Sequence, residues 1–247
     1  MSPARILLTG GSGRLGTELQ VHLPDMYSPS SAECDVTDAQ SLDRALGEYT
    51  PTLVVHAAAY TDVGGAEKDR VACWRVNVEG TRNVVASCRA HGAALVHIST
   101  DYVFWGESGG YAEDDPPGPV RNYYALTKLV AEESVRTLAD HLVIRTSFRG
   151  REWPYPTAFD DLHTSQDYVD VIGPEIALAI AAFHAVPHDT LHIGTERKSA
   201  FELAKRRRPD VTLASRHDIA VAMPADISLD TSRWRELRPM LERTVHG

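Results

Sequence analysis

Cysteine is scarce in this chain. Only Cys34, Cys73 and Cys88 occur in 247 residues, and none has CxxC spacing. An odd, sparse set of this kind argues for thiols kept reduced in a cytoplasm rather than for a disulfide framework. Long apolar runs are missing too: no window approaches the roughly 18 continuous apolar residues of a membrane span. The N-terminus shows no basic region followed by an apolar stretch and a cleavage site, so no secretory signal is expected. Basic charge is in deficit, with 25 Lys and Arg against 34 Asp and Glu and a net charge of −9. That balance argues against a nucleic-acid groove or an anionic membrane as partner. One basic run, Lys205-Arg206-Arg207-Arg208, reads as a solvated helix end stopped by Pro209. There is no GxSxG elbow of a serine hydrolase, no internal repeat and no low-complexity tract. Among eleven histidines, His184, His188 and His192 are regularly spaced. Pro187 breaks the helix that would align them and no carboxylate completes a ligand set, so no metal is expected.

What is present is an ordinary globular composition, 43% hydrophobic and 24% charged, long enough for one large α/β domain with or without a small appendage. The apolar run at 5–9 is followed at once by Gly10-Gly11-Ser12-Gly13-Arg14-Leu15-Gly16 and then by a helical segment. Strand, glycine loop and helix at this spacing form the context in which a backbone can approach a pyrophosphate closely, with helix N–H groups facing it. The short second strand expected at 25–31 carries no terminal acid to bind adenosine ribose hydroxyls. Its serines Ser28, Ser30 and Ser31, with Arg14, suit a 2′-phosphate instead; this leans to NADPH and leaves NADH open. Asp35 is placed to accept from an adenine amino group, and Asp38 reads as the N-cap of a helix over 39–49. The buried-looking strand at 53–59 ends in Ala57, Ala58 and Ala59, small enough for a cofactor to lie against the backbone.

A charged loop, TDVGGAEKDR, leads into a long helix through Asn77 to His91, and Ala94–Ser99 is the next strand, with Thr100 at its carboxyl end. In open parallel sheets ligands sit at that end. Tyr124 and Lys128, at i and i+4, share one face of the following helix. A tyrosine ordinarily has a pKa of about 10. An ammonium about 5 Å away at an effective dielectric near 20 would contribute roughly 3 kcal/mol and lower it by about two units. Such a phenol can protonate a forming oxyanion, with Thr100 offering its hydroxyl to the same oxygen. Beyond the strand at 141–145, residues 147–170 lack periodicity and read as a substrate-facing lid. Asp170 reads as the N-cap of a helix from Val171 to His184, followed by a strand at 191–194 and helices at 199–206 and 231–243. In the last of these, Trp234, Leu237 and Leu241 read as core contacts.

Taken in order, TGGSGRLG, CDVTD, HAAAYT, Val76-Asn77, STDYVF, YYALTK and QDYVDVI resemble the extended short-chain dehydrogenase/reductases, and within them the dTDP-4-dehydrorhamnose reductase-like family, over roughly residues 4–185. The resemblance implies a Rossmann-type doubly wound parallel sheet with a small C-terminal substrate-binding region. It implies a dinucleotide-binding part at 1–147, and a lid, substrate region and C-terminal elements at 148–247. The activity implied is NAD(P)H-dependent reduction of a nucleotide-linked 4-keto-6-deoxy sugar. Tyr124 would be the proton donor, Lys128 would hold the nicotinamide ribose and Thr100 would steady the ketone oxygen. Gly10, Ser12, Gly13, Leu15 and Gly16 would carry the pyrophosphate. Asp35 and Val36 would border adenine; Ala57, Ala58, Ala59, Tyr60, Ser99 and Ser147 would border the nicotinamide side. Tyr60, Thr100, Asp101, Tyr102, Val103 and Phe148 would meet the substrate.

The family usually has Asp-Gly after STDYVF, where this chain has Trp105-Gly106, and Trp where Phe148 stands. The chain is also shorter than family members usually are, so the substrate part is where departures are expected. A ketoreductase of a smaller carbonyl compound and a cofactor-binding regulatory subunit without turnover stay open as alternatives. The expected partner is a small molecule, with the protein a cytoplasmic monomer or homodimer.

Overall fold

The computed structural model describes residues 4–219 and 223–246. It begins with β1 (Ile6–Thr9) and α1 (Arg14–His22), joined by the glycine loop. Next come α2 (Ala39–Tyr49), β2 (Leu53–His56), α3 (Val63–Lys68) and α4 (Arg70–Trp74). A π-helical turn at Arg75–Glu79 continues into α5 (Gly80–His91). β3 (Ala94–Thr100), α6 (Tyr123–Val135) and β4 (His141–Thr146) follow. Four short strands come after them: β5 (Phe148–Arg149), β6 (Thr157–Phe159), β7 (His163–Thr164) and β8 (Asp167–Tyr168). The chain then forms α7 (Val169–Ala181), β9 (Thr190–Ile193), β10 (Lys198–Ser199), α8 (Ala200–Lys205), β11 (Thr212–Ala214) and α9 (Ser232–His246).

β1, β2, β3, β4 and β9 form one parallel sheet in that order. Its strands read as nearly continuous apolar runs because both faces are covered. Alternate residues supply two separate cores. Ile6, Leu8, Val96, Ile98 and Ile144 meet α1, α7 and α9 on one face. Leu7, Val54, Leu95 and Val143 meet α2 and α5 on the other. Trp234 and Leu241 join the first core and Leu237 lies against it. This is the Rossmann-type doubly wound architecture. From β1 the chain first touches the outer edge of the sheet at a single bridge, Leu7 to Tyr27, and then crosses to β2 on the other side. The reversal of direction opens a crevice at the carboxyl ends of β1 and β2.

Several elements differ from expectation. The strand at 25–31 is reduced to the Tyr27 bridge, since Pro29 and the serines around it offer neither ladder donors nor an apolar face. The charged stretch after β2 is helical, because Asp62 caps α3 through the Gly65 N–H and Asp69 caps α4 through the Ala72 N–H. α7 starts at Val169, with Tyr168 at the cap position and no side-chain cap. Asp170 lies in the first turn, where it accepts from Arg207 at 2.8 Å. Residues 147–170 are pinned rather than structureless: β5 pairs with β8, β6 with β11 and β7 with β10. The basic run is the clamp on this segment, not a solvated helix end. Arg206 donates to Asp167 at 2.8 Å, Arg207 to the Arg151 carbonyl at 2.7 Å, and Arg208 to the Tyr155 carbonyl at 2.9 Å.

α6 is joined to the sheet by buried charge. Glu132 accepts from Arg145 of β4 at 2.9 Å, both side chains being 1% exposed, and also from the Ser99 hydroxyl. Removing one partner of a buried pair leaves the other uncompensated, at a cost of about 3–5 kcal/mol, whereas an apolar replacement of both can be nearly neutral. Glu132→Gln and Arg145→Met are each expected to lose stability of that order in urea unfolding, and the Glu132→Leu/Arg145→Met double variant to lose less than the sum. Single losses below about 0.5 kcal/mol, the range of ordinary surface changes, would show that the pair does not hold α6 down.

Candidate active site

A cleft of about 1320 Å³ follows the carboxyl ends of β1 to β4. Its floor at one end is the glycine loop. Gly10 has φ +78°, and a Cβ there would stand 2.5 Å from the Ala58 backbone nitrogen. A Cβ on Gly16 would stand 2.3 Å from the Gly10 carbonyl oxygen. Both contacts are too short for any side chain, so the loop lies flat against the ends of β1 and β2. α1 begins at Gly13 without a side-chain cap, which leaves first-turn N–H groups to face the cleft. A cradle without side chains that ends in uncapped helix donors fits the diphosphate of a dinucleotide.

The candidate residues divide clearly. Gly10, Ser12, Gly13, Arg14, Leu15, Gly16, Asp35 and Val36 line the cleft at the loop end. Ala57, Ala58, Ala59, Ser99, Thr100, Tyr102, Tyr124, Lys128, Ser147 and Phe148 line it across the middle. Four others do not. Ser30 is turned to Glu33, its N–H and hydroxyl donating to that carboxylate at 2.8 and 2.7 Å. Tyr60 packs with Ala66, Cys73 and Tyr124 behind the cleft wall. Val103 is fully buried against Phe104 and Leu229. Asp101, 1% exposed, lies below the rim and accepts from the Thr100 hydroxyl at 3.1 Å.

Tyr124, Lys128 and Thr100 are brought together, 8%, 2% and 5% exposed. Their electrostatics differ from the sequence reading. Lys128 does not act on the phenol: its ammonium donates to the Ile98 carbonyl at 2.7 Å and meets His97 Nε2 at 3.3 Å. Burial pulls it down to about 8, opposed by Glu132. Tyr124 is raised by burial first and by Asp101 second, with the Thr100 hydroxyl opposing part of the rise. The phenol therefore rests firmly protonated. Beneath the lysine, His97 is held well below its ordinary value and His56 at about 3, by burial first and then by the Lys128 charge. Both rings are thus neutral at pH 7, each able to accept at one nitrogen and donate at the other.

Three contributors were given no role in the sequence reading. Asn77, in the π-helical turn, accepts from the Tyr60 N–H at 2.7 Å and donates to the Tyr60 carbonyl at 3.1 Å and to Thr127 at 3.0 Å. It ties the loop after β2 to α6; Val76-Asn77 is among the motifs read from the sequence, without a role for this side chain. Gln166, part of the QDYVDVI motif but given no role, and Arg149 line the far wall; Arg149 belongs to none of the sequence motifs. Of the regularly spaced histidines, His192 is buried and donates through Nδ1 to the Tyr111 carbonyl at 3.0 Å, a structural contact.

A family model described as RmlD substrate binding domain matches residues 4–172. A dTDP-4-dehydrorhamnose reductase of Streptomyces griseus is 42% identical over 143 residues, covering 55% of this chain and 47% of that relative. One of Mycobacterium tuberculosis is 33% identical over 178 residues, covering 68% of this chain and 54% of the relative. The chain thus spans about half the length of the curated relatives it matches. The crystal structure of dTDP-4-dehydrorhamnose reductase from Bacillus anthracis, in complex with NADP, superposes with a TM-score of 0.83 at 29% identity, covering 97% of this chain and 92% of that one. No described helix is long and apolar enough to cross a membrane.

Asp101 gives the site a pH signature. Burial raises its carboxyl from 3.8 to about 7, partly offset by the Thr100 and Ser147 hydroxyls. Between those values the folded chain holds a proton that the unfolded chain has lost. The stability this contributes is complete below the ordinary carboxylate value and is lost as pH rises to about 7. Asp101→Asn removes the dependence. Relative to the parent, the variant is expected to gain stability from pH 4 to pH 7 and to run parallel above. Parallel curves across the whole range in urea unfolding would contradict a buried protonated Asp101.

Proposed function

The chain belongs to the RmlD substrate-binding domain family, and on that premise we propose that it is an NAD(P)H-dependent reductase of a nucleotide-linked 4-keto-6-deoxy sugar, of the dTDP-4-dehydrorhamnose reductase kind. The observation that carries the reading is the placement of Thr100 and Tyr124 in the same cleft as the Gly10–Gly16 cradle. The names of the relatives support the substrate class. Residues 1–147 would form the dinucleotide part, and 148–247 the substrate-facing part.

Gly10, Ser12, Gly13, Leu15 and Gly16 would hold the cofactor diphosphate, Asp35 and Val36 its adenine side, and Ala57–Ala59, Ser99 and Lys128 its nicotinamide side. Arg14 has no acidic partner within 4 Å among the described residues, which favours NADPH over NADH. The bound cofactor would supply a hydride to the carbonyl carbon. Tyr124 would then give its proton to the carbonyl oxygen as negative charge develops there. A phenol raised by burial stays protonated until that charge appears, so the donor is loaded at neutral pH. Thr100, at the end of β3, would donate to the same oxygen and hold the carbonyl in line. Lys128, tied to the Ile98 carbonyl, would hold the nicotinamide ribose. Solvent returns the proton.

Tyr124→Phe removes the donor and little volume. It is expected to lower turnover about 10²- to 10⁴-fold, the usual worth of a positioned acid, with NADPH affinity within about twofold of the parent. NADPH oxidation would be followed with dTDP-4-keto-6-deoxy sugar and with a panel of simple ketones. Full activity of the variant would remove Tyr124 as donor. Turnover of simple ketones alone would replace the nucleotide sugar as substrate, and no turnover of either by the parent would remove the reductase reading.

A further inference from the structure

Arg149 is the cation that the mechanism above leaves unused. It lines the cleft on β5, and its guanidinium lies 4.3 Å from the Trp153 ring centroid and 5.9 Å from that of Tyr155. Its Nε is buried and has no hydrogen-bond partner among the described residues. Three neighbouring arginines are answered by acid: Arg151 by Glu18 at 2.6 Å, Arg206 by Asp167 and Arg207 by Asp170, each at 2.8 Å. No acidic side chain lies within 4 Å of Arg149 among the described residues. An unanswered, half-buried charge is costly unless something else answers it.

Its surroundings are held by backbone pairing and by Trp153. Arg149 pairs in register with Tyr168 of β8. Trp153 is 6% exposed and donates through its indole N–H to the Thr157 carbonyl at 3.2 Å, and Arg208 holds the Tyr155 carbonyl. The Trp153 ring at 4.3 Å supports the guanidinium, and Tyr155 stands edge-on to that ring, 78° from its plane; a guanidinium supported on an aromatic ring suits bidentate binding of phosphate oxygens.

Position decides which phosphate. Arg149 stands three residues after Thr146, which pairs in register with Thr100 at the end of β3. It therefore stands on the proton-donor side of the cleft, while Arg14 stands at the glycine cradle. Arg14 reaches across from the cradle toward Gly150, where a Cβ would stand 3.9 Å from its Nε. The two unanswered arginines thus enter the cleft from different elements, Arg14 from the glycine cradle and Arg149 from β5.

We propose that Arg149, supported on Trp153, is the binding site for the diphosphate of the substrate, so that the pinned 148–155 segment recognises a nucleoside diphosphate while β3 and α6 present Thr100 and Tyr124 to its sugar. The assignment rests on the nucleotide-sugar reading above.

The test uses calorimetric titration of the NADP⁺-loaded protein with dTDP and, separately, with thymidine, for the parent and for Arg149→Met and Arg149→Lys. Met keeps the apolar stem over the rings and removes the charge. Charge-assisted hydrogen bonds are worth enough that Arg149→Met should weaken dTDP by roughly 10- to 100-fold. Thymidine affinity and NADP⁺ affinity should stay within about twofold, and Arg149→Lys should recover part of the loss. In the parent, dTDP binding should weaken with added salt. Equal dTDP affinity in parent and Arg149→Met overturns the assignment and leaves the reductase reading standing. Loss of NADP⁺ binding together with dTDP in the Met variant, without recovery by Lys, shows a structural role and overturns it too. A parent that binds NADP⁺ but neither dTDP nor thymidine sinks the nucleotide-sugar reading, and the assignment with it.

Discussion

A polar seam runs down the sheet-facing side of α6. Tyr124, Lys128 and Glu132 stand at i, i+4 and i+8, so all three point at the sheet. Glu132 is tied to Arg145 of β4 and Ser99 of β3, Lys128 to the Ile98 carbonyl, and Tyr124 reaches the rim where β3 ends. A helix laid on a sheet by apolar contacts alone could slide or rotate at small cost, since volume and hydrophobicity specify a core loosely. Charged groups buried in fixed pairs cannot shift without being stranded, which costs several kcal/mol. The seam converts that penalty into register. It places one phenol at the mouth of the crevice and keeps it there.

The crevice itself follows from the opposite device, the absence of side chains. Gly10 and Gly16 let the loop after β1 touch the end of β2, and the chain reverses direction there through Tyr27. Close backbone contact at the switch point brings uncapped helix donors within reach of the rim that holds Thr100. Asn77 then stitches the loop after β2 to α6, with bonds to both backbone atoms of Tyr60 and to Thr127. Cradle and acid are two separate constructions, and this one side chain links the walls that carry them.

Much of this framework is legible in the residues alone. Apolar runs buried on both faces are what a parallel sheet requires, and β1, β2, β3 and β4 fall where those runs do. Asp38 caps α2 through the Gln40 N–H, as an aspartate ahead of an amphipathic helix should. What periodicity could not supply was direction within a face. Spacing put Lys128 on the same side as Tyr124, but not whether its ammonium would turn to the phenol or to the strand. A backbone carbonyl at 2.7 Å took it. The run Lys205–Arg208 looked solvated because its partners, Asp167, Asp170 and two carbonyls of the 147–170 segment, are distant in sequence. The same long separations hid the order in that segment, whose strands are two or three residues long and pair with pieces far along the chain.

Net charge and local charge therefore point in different directions, and the difference has a physical reason. A chain at −9 repels anions at long range, yet the cleft collects Arg14, Lys128 and Arg149. At physiological ionic strength the Debye length is about 8 Å, so the distant excess of carboxylates is largely screened at the cleft. Inside a partly dry groove the nearby cations are screened much less. Arg151, Arg206 and Arg207 add nothing to this field, because Glu18, Asp167 and Asp170 neutralise them. The segment that forms the far wall is thus held by answered charges and presents an unanswered one. A wall built that way can be rigid without being electrically neutral, which is the condition for recognising an anion without first having to assemble around it.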